Sequence, residues 1–436
     1  MDLIAKRWCL VLTALVIVAG CTKTVPSLNV PTEPVLQGEP VAISLTDLEP
    51  GQVVTLTLEE TRLRRGNPAF YTSSATFQAD SEGDIDTATM APVSGAYAGI
   101  DQAGLFWSRK RPEDQQPDED AELKPLTLLA DLNLDGVPDL SEPISLIRSS
   151  PGVELNDLDA AFPGAVYAVP SDGEGPWPVL VVLGGSEGHD TTARRMTPVF
   201  ASYGYFTVGV PYYSPAYGDQ VQPVPGLPRA FANIDVAYLR NILEELARYP
   251  EADTERVGLW GVSKGAEYAL IAGTNIPDID AIAAIVPTDV VWEGWGASET
   301  VSSFAWDGEP LAFVPYQGMD EEFQKESPSL RIPHDAGRDA FPERVQAARI
   351  AVEEIDEPLF LVGGDQDLVW ASGPMARSIK EKRDEAGLET ELFVSETAGH
   401  FLSGNGYQMA SEADAVIKGQ AWPALLEFLD RELGSE

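Results

Sequence analysis

The sequence predicts an α/β chain in two parts: an all-β sandwich, then a domain built on a mainly parallel sheet with helices on both faces. Between residues 41 and 150 the apolar positions form short alternating or β-branched runs. Ala42-Ile43-Ser44-Leu45 and Val53-Val54-Thr55-Leu56-Thr57-Leu58 are examples, and turn residues such as Pro50-Gly51 and Asp80-Ser81-Glu82-Gly83 separate them. Many short strands with frequent turns are the pattern of a sandwich. From residue 151 onward, and clearly after Gly164, buried-strand runs alternate with segments of helical period, the pattern of βαβ units. At 436 residues with 44% hydrophobic content, the chain is large enough for two cores.

The first twenty residues read as an export signal. Lys6 and Arg7 precede an apolar run over residues 8–19 that is too short to be a permanent span, which needs roughly 20 residues. It ends in Val18-Ala19-Gly20-Cys21, which resembles a bacterial lipobox, so Cys21 is expected to carry the lipid that anchors the exported protein to a membrane. Thr22 at the next position implies an outer-membrane address in a Gram-negative cell. Residues 21–40 hold four prolines without helical period and are expected to be a tether. The other cysteine, Cys9, lies inside the signal, so a disulfide, a cysteine metal site and a cysteine nucleophile are all excluded from the mature chain. A formal charge of −40, from 29 basic and 69 acidic residues, excludes nucleic acid as a partner and repels polyphosphates except where basic residues gather. Arg62, Arg64, Arg65 and Arg109-Lys110-Arg111 are the small basic clusters, read as solvated faces.

In the second part, strands are expected at residues 166–169, 179–183, 206–210, 257–260, 281–286, 359–362 and 391–394. A helix follows from the spacing of Phe231, Ile234, Tyr238, Ile242 and Leu246, and a terminal helix is expected around residues 422–433. Regularity fails over residues 288–342, the place for a cap, where Trp292, Trp295, Phe304 and Trp306 concentrate.

Gly261-Val262-Ser263-Lys264-Gly265 lies between the strand at 257–260 and a helix opening at Ala266, the strand–turn–helix setting of a nucleophile elbow. Ser263 is therefore the candidate nucleophile. A serine hydroxyl needs a base, and the chain holds three histidines, His189, His334 and His400. In the α/β-hydrolase fold the order is serine, acid, histidine, which selects His400. The acid belongs in the turn after the strand at 359–362, where Gly364-Asp365-Gln366-Asp367 offers two carboxylates. Asp367 fits the G-x-x-D turn and is preferred, with Asp365 as the alternative. The backbone N–H of Lys264 and that of Ser186, in Gly184-Gly185-Ser186-Glu187-Gly188, are the candidate oxyanion donors, each worth roughly 3–4 kcal/mol in a working hole. No cofactor is expected for this chemistry.

The segments at 48–51, Ser74-Ala75-Thr76-Phe77, 95–107, Gly175-Pro176-Trp177-Pro178, Val262-Ser263-Lys264-Gly265 and 364–370 resemble the acyl-CoA thioesterase and bile acid-CoA:amino acid N-acyltransferase family over nearly the whole mature chain. The resemblance implies a β-sandwich packed on an α/β-hydrolase, with Ser263, Asp367 and His400 at the triad positions. The amino-acid transferases of the family carry cysteine as nucleophile. Serine here implies hydrolysis of an acyl ester or thioester. Export and the net charge set the expectation that uncharged esters are preferred to acyl-CoA.

Asp131-Leu132-Asn133-Leu134-Asp135-Gly136, followed by Asp139 and Glu142, matches the twelve-residue calcium loop. The expectation is a structural Ca²⁺ remote from the chemistry, although the resemblance implies a plain hairpin there.

Overall fold

The computed structural model describes residues 25–64, 66–112, 121–216 and 220–434. The segment expected to be an export signal and Cys21 lie outside the described residues.

The first domain is a β-sandwich. Its larger sheet contains β1 (Val53–Arg64), β2 (Asn67–Gln78), β3 (Lys124–Asp131) and β4 (Leu140–Pro143), with β1 between β2 and β3 and a short strand at Ser94–Gly95 on the outer side of β2. The alternation read from the sequence sets its faces. Val54, Leu56 and Leu58 point inward and are fully buried, while the threonines between them remain partly exposed. The smaller sheet pairs Ser27–Asn29 with Ser44–Thr46, and Val35–Leu36 pairs with Leu146–Ile147. Part of the expected tether is thus folded into the domain. Leu28 is buried in the sandwich core, and proline is tolerated along such short edge strands.

The second domain holds an eight-stranded sheet in the order β5 (Asn156–Asp157), β6 (Val166–Ala168), β8 (Phe206–Gly209), β7 (Trp177–Leu183), β9 (Ala252–Val262), β10 (Ala281–Ile285), β11 (Leu359–Gly364), β12 (Thr390–Ser395). β6 runs antiparallel to both its neighbours, β5 and β8, and all the other pairings are parallel. This is an α/β-hydrolase sheet. Its central strands are buried on both faces, as their unbroken apolar runs predict.

The helices relevant to the site are α1 (Thr191–Ala201), α2 (Tyr238–Leu246), α3 (Lys264–Gly273), α4 (Ser372–Ala386) and α5 (Glu412–Leu433). α2 is shorter than the spacing suggested. Ile234 and Asp235 pair with Phe304 and Ala305 as strand, and Phe231 bridges to Trp295, so the apolar period before residue 238 belongs to an aromatic cluster rather than a helix face. The segment expected to be a cap, residues 288–342, forms short strands and the helices Met319–Phe323 and Arg331–Ala340, with Phe304 buried in the core of the second domain and Trp292 buried in a separate cluster with Val314 and Trp370.

The loop between β3 and β4 is a hairpin turn. Asp131 accepts from the N–H groups of Asn133 and Gly136, Asn133 from that of Asp135, Asp135 from that of Val137, and Asp139 from that of Leu132. Glu142 sits in β4 opposite Leu128. Among the described residues no three acidic, histidine or cysteine side chains are grouped to hold a metal.

Candidate active site

β9 ends at Val262, and the chain turns into α3 through Ser263, whose φ of 57° and ψ of −119° lie outside the regions a side-chain-bearing residue normally adopts. The turn is tight because its glycines leave no room. A β-carbon on Gly261 would stand 2.2 Å from the carbonyl oxygen of Gly265, and one on Gly265 would stand 2.3 Å from that of Leu183. Only glycine allows α3 to approach the sheet this closely, and that approach holds Ser263 at the strand's end.

His400 follows β12 and faces the serine. Its Nε2 lies 3.0 Å from Ser263 Oγ, and its Nδ1 lies 2.7 Å from Asp367 Oδ2. Asp367 is fully buried, and its other oxygen accepts from the backbone N–H groups of Val369 and Trp370. The alternative acid is accounted for elsewhere: Asp365 makes a two-pronged ion pair with Arg377 on α4. Gln366, between them, ties the acid turn to the histidine loop through its N–H to Ala398 O and its amide to Glu396 O. Asp414, in the first turn of α5, holds the same loop by accepting from Gly399 N–H at 2.7 Å. From the cap, Arg331 donates to the carbonyl of Asp365 at 2.6 Å. Asp414 and Arg331 lack any motif spacing to the three site residues, and the sequence offered no signal for them.

The glycine turn after β7 lies against the nucleophile. A β-carbon on Gly185 would be 3.2 Å from that of Ser263. Glu187 folds back under this turn and accepts from Gly185 N–H at 3.1 Å, and Ser186 is exposed beside it. The N–H of Lys264 follows the serine, as the elbow requires.

The Lys264 side chain has a different setting. Its ammonium is buried, 2.6 Å from Glu267 Oε2 and 2.7 Å from Ser303 Oγ, with the rings of Phe231, Phe304 and Trp295 within 6 Å. Glu267 also accepts from Trp292 N–H. Burial lowers the lysine's pKa and raises the glutamate's, and their mutual attraction opposes both. The other histidines are held apart from the serine. His189 Nδ1 meets Ser214 Oγ. His334 Nδ1–H donates to Leu330 O while its ring packs against Trp292, Tyr316 and Trp370, and burial pushes its pKa down to about 4.

Two family models match the chain: the acyl-CoA thioester hydrolase/BAAT N-terminal region over residues 38–135, and the BAAT/acyl-CoA thioester hydrolase C-terminal region over residues 234–404. The chain belongs to the acyl-CoA thioester hydrolase/BAAT family. Among its relatives, the peroxisomal succinyl-coenzyme A thioesterase of Mus musculus is 24% identical and acyl-coenzyme A thioesterase 1 of the same organism is 25% identical. Each alignment covers 91% of this chain and 94% of the relative. A solved acylaminoacyl peptidase of Pyrococcus horikoshii aligns with 92% of this chain and 60% of its own, at 14% identity and a TM-score of 0.44. Family membership thus spans both domains.

Proposed function

We propose that the protein is a serine hydrolase that cleaves an acyl thioester or ester through an acyl-enzyme on Ser263. The observation that carries this reading is the continuous hydrogen-bonded chain from Ser263 Oγ through His400 to buried Asp367, at 3.0 and 2.7 Å.

In the first half-reaction His400 Nε2 takes the hydroxyl proton as Oγ bonds to the acyl carbon. The developing oxyanion faces the N–H groups of Lys264 and Ser186. Collapse breaks the bond to sulfur or oxygen, and the leaving group takes the proton from His400. A water molecule then gives a proton to the same nitrogen and attacks the acyl-serine. The acid departs, and the proton returns to Oγ. Asp367 stays ionised throughout, fixing the imidazole tautomer and stabilising the imidazolium. Serine favours water over an amine as acceptor, because the oxygen ester it forms is readily hydrolysed. Leu368 and Phe401, 63% and 79% exposed, follow Asp367 and His400 directly and supply an apolar rim for the acyl chain.

Ser263→Ala and His400→Ala are each expected to lower kcat/KM on a thioester by about 10³-fold or more, with an unchanged circular dichroism spectrum, because triad members act as a unit. Retention of more than about a tenth of the activity by either variant contradicts the assignment.

A further inference from the structure

Four arginines, drawn from segments far apart in the sequence, line one cavity of about 320 Å³ where the two domains meet. Arg62 comes from β1 and Arg109 from the turn after the short helix Gly104–Trp107. Arg148 comes from the link to the second domain, and Arg195 from α1. The opposite wall carries Asn405 and Gln408, five and eight residues beyond His400, and among the described residues no carboxylate lines the cavity. Arg62 and Arg109 share one nearby anion, Glu60, at 3.3 and 2.7 Å. Arg148 and Arg195 make no ion pair or hydrogen bond among the described residues. They do sense each other's charge: desolvation lowers the pKa of Arg195, Glu187 opposes it, and Arg148 lowers it further.

In a chain with 69 acidic and 29 basic residues, most arginines find carboxylates. Four guanidiniums surround one cavity, Glu60 pairs with two of them and Glu187 reaches Arg195 without an ion pair, which leaves an excess positive field that a compact polyanion would neutralise. Ser263, Asp367 and His400 do not line the cavity, but two of its walls belong to segments that continue from the candidate site: α1 begins just past the glycine turn that abuts Ser263, and residues 404–409 follow the histidine loop. We infer that this interdomain cavity is a phosphate-binding site that takes a phosphomonoester or pyrophosphate group. Planar guanidiniums offer the paired donors that phosphate oxygens accept. The phosphate is either carried by the leaving group of a substrate or is a free anion. The site rests on the cavity and not on the function proposed for Ser263.

The test uses wild type and the Arg148→Ser/Arg195→Ser double variant, since these two side chains hold no other part of the fold. Calorimetric titration with inorganic pyrophosphate is expected to show saturable binding that weakens with salt and is reduced about tenfold or more in the double variant. Titration of the Ser263→Ala variant is expected to match wild type, which separates failure of this site from failure of the catalytic reading. The two sources are distinguished by kinetics on a CoA thioester and on the uncharged N-acetylcysteamine thioester of the same acyl chain. A substrate-borne phosphate predicts that the double variant raises KM for the CoA thioester alone, with kcat nearly unchanged. A free anion predicts that neither substrate is affected while pyrophosphate binding is lost. No pyrophosphate binding by wild type, or equal binding by the double variant, overturns the inference.

Discussion

The two walls around Ser263 are built by different means. On the side of His400, hydrogen bonds between backbone turns do the positioning: Gln366 bridges to Ala398 and Glu396, Asp414 holds Gly399, and Asp367 is fixed by two N–H groups. On the side of the cap, one buried ion pair, Lys264–Glu267, sits among aromatic rings and ties α3 to Trp292 and Ser303. The first wall sets the geometry of a proton path, and the second sets where the cap lies. Damage to the first should therefore appear in turnover, and damage to the second in stability.

The comparison is sharpest in the acid turn. Asp367→Asn keeps the shape but presents the wrong tautomer to His400, and a loss of about 10⁴-fold in kcat is expected. Asp365→Asn removes a half-exposed pair with Arg377 and is expected to cost at most about 1 kcal/mol of stability, with little change in kcat. Parallel kinetics and urea unfolding of the two variants check this, and a greater kinetic loss at Asp365 would transfer the acid role.

The second wall breaks through charge. Lys264→Met leaves Glu267 buried without its partner, and Glu267→Gln does the same to the lysine, so each is expected to cost about 3–5 kcal/mol in urea unfolding. The double variant removes both charges while the amide still accepts from Trp292 N–H, and it should lose less than either single variant. Additive losses would show that the pair is not the unit holding the cap.

His334 tests the same wall through pH. Its pKa is about 4 when folded, against 6.5 for the free group, so between these values the unfolded state binds more protons and stability rises with pH. Stability should therefore fall by about 3 kcal/mol as pH drops from 6.5 to 4, in proportion to the shift. Unfolding of wild type and His334→Gln across this window checks it, and the variant should lack that part of the acid limb.

The sheet, the elbow and the histidine loop were legible in the sequence because each depends on residues close together in the chain. The runs at β7, β9 and β11 are long and apolar, and the spacing Gly261, Ser263, Gly265 encodes its own turn. The preference for Asp367 over Asp365 rested on turn spacing, and the structure supplies the physical difference: one faces His400 and the other faces Arg377. What could not be read depends on topology. Lys264 was visible only as a backbone donor: Glu267 lies one turn on, but the burial that gives the pair its weight comes from Ser303 and from the rings of Phe231, Trp295 and Phe304, all distant in the chain. The apolar period from Phe231 imitated a helix because an aromatic cluster and a helix face both select large side chains. Arg62 and Arg109 were read as parts of solvated clusters and Arg148 and Arg195 carried no signal, because the four meet only when both domains fold around one cavity.

The most direct test of the account is covalent. A fluorophosphonate reacts only with a serine whose hydroxyl is activated by a neighbouring base, and the labelled residue is identified by mass spectrometry of the digested protein. The account predicts stoichiometric labelling of the peptide containing Ser263, concurrent loss of thioesterase activity, and loss of labelling in both Ser263→Ala and His400→Ala. Labelling of another serine, or an unlabelled and fully active protein after prolonged exposure, would contradict it.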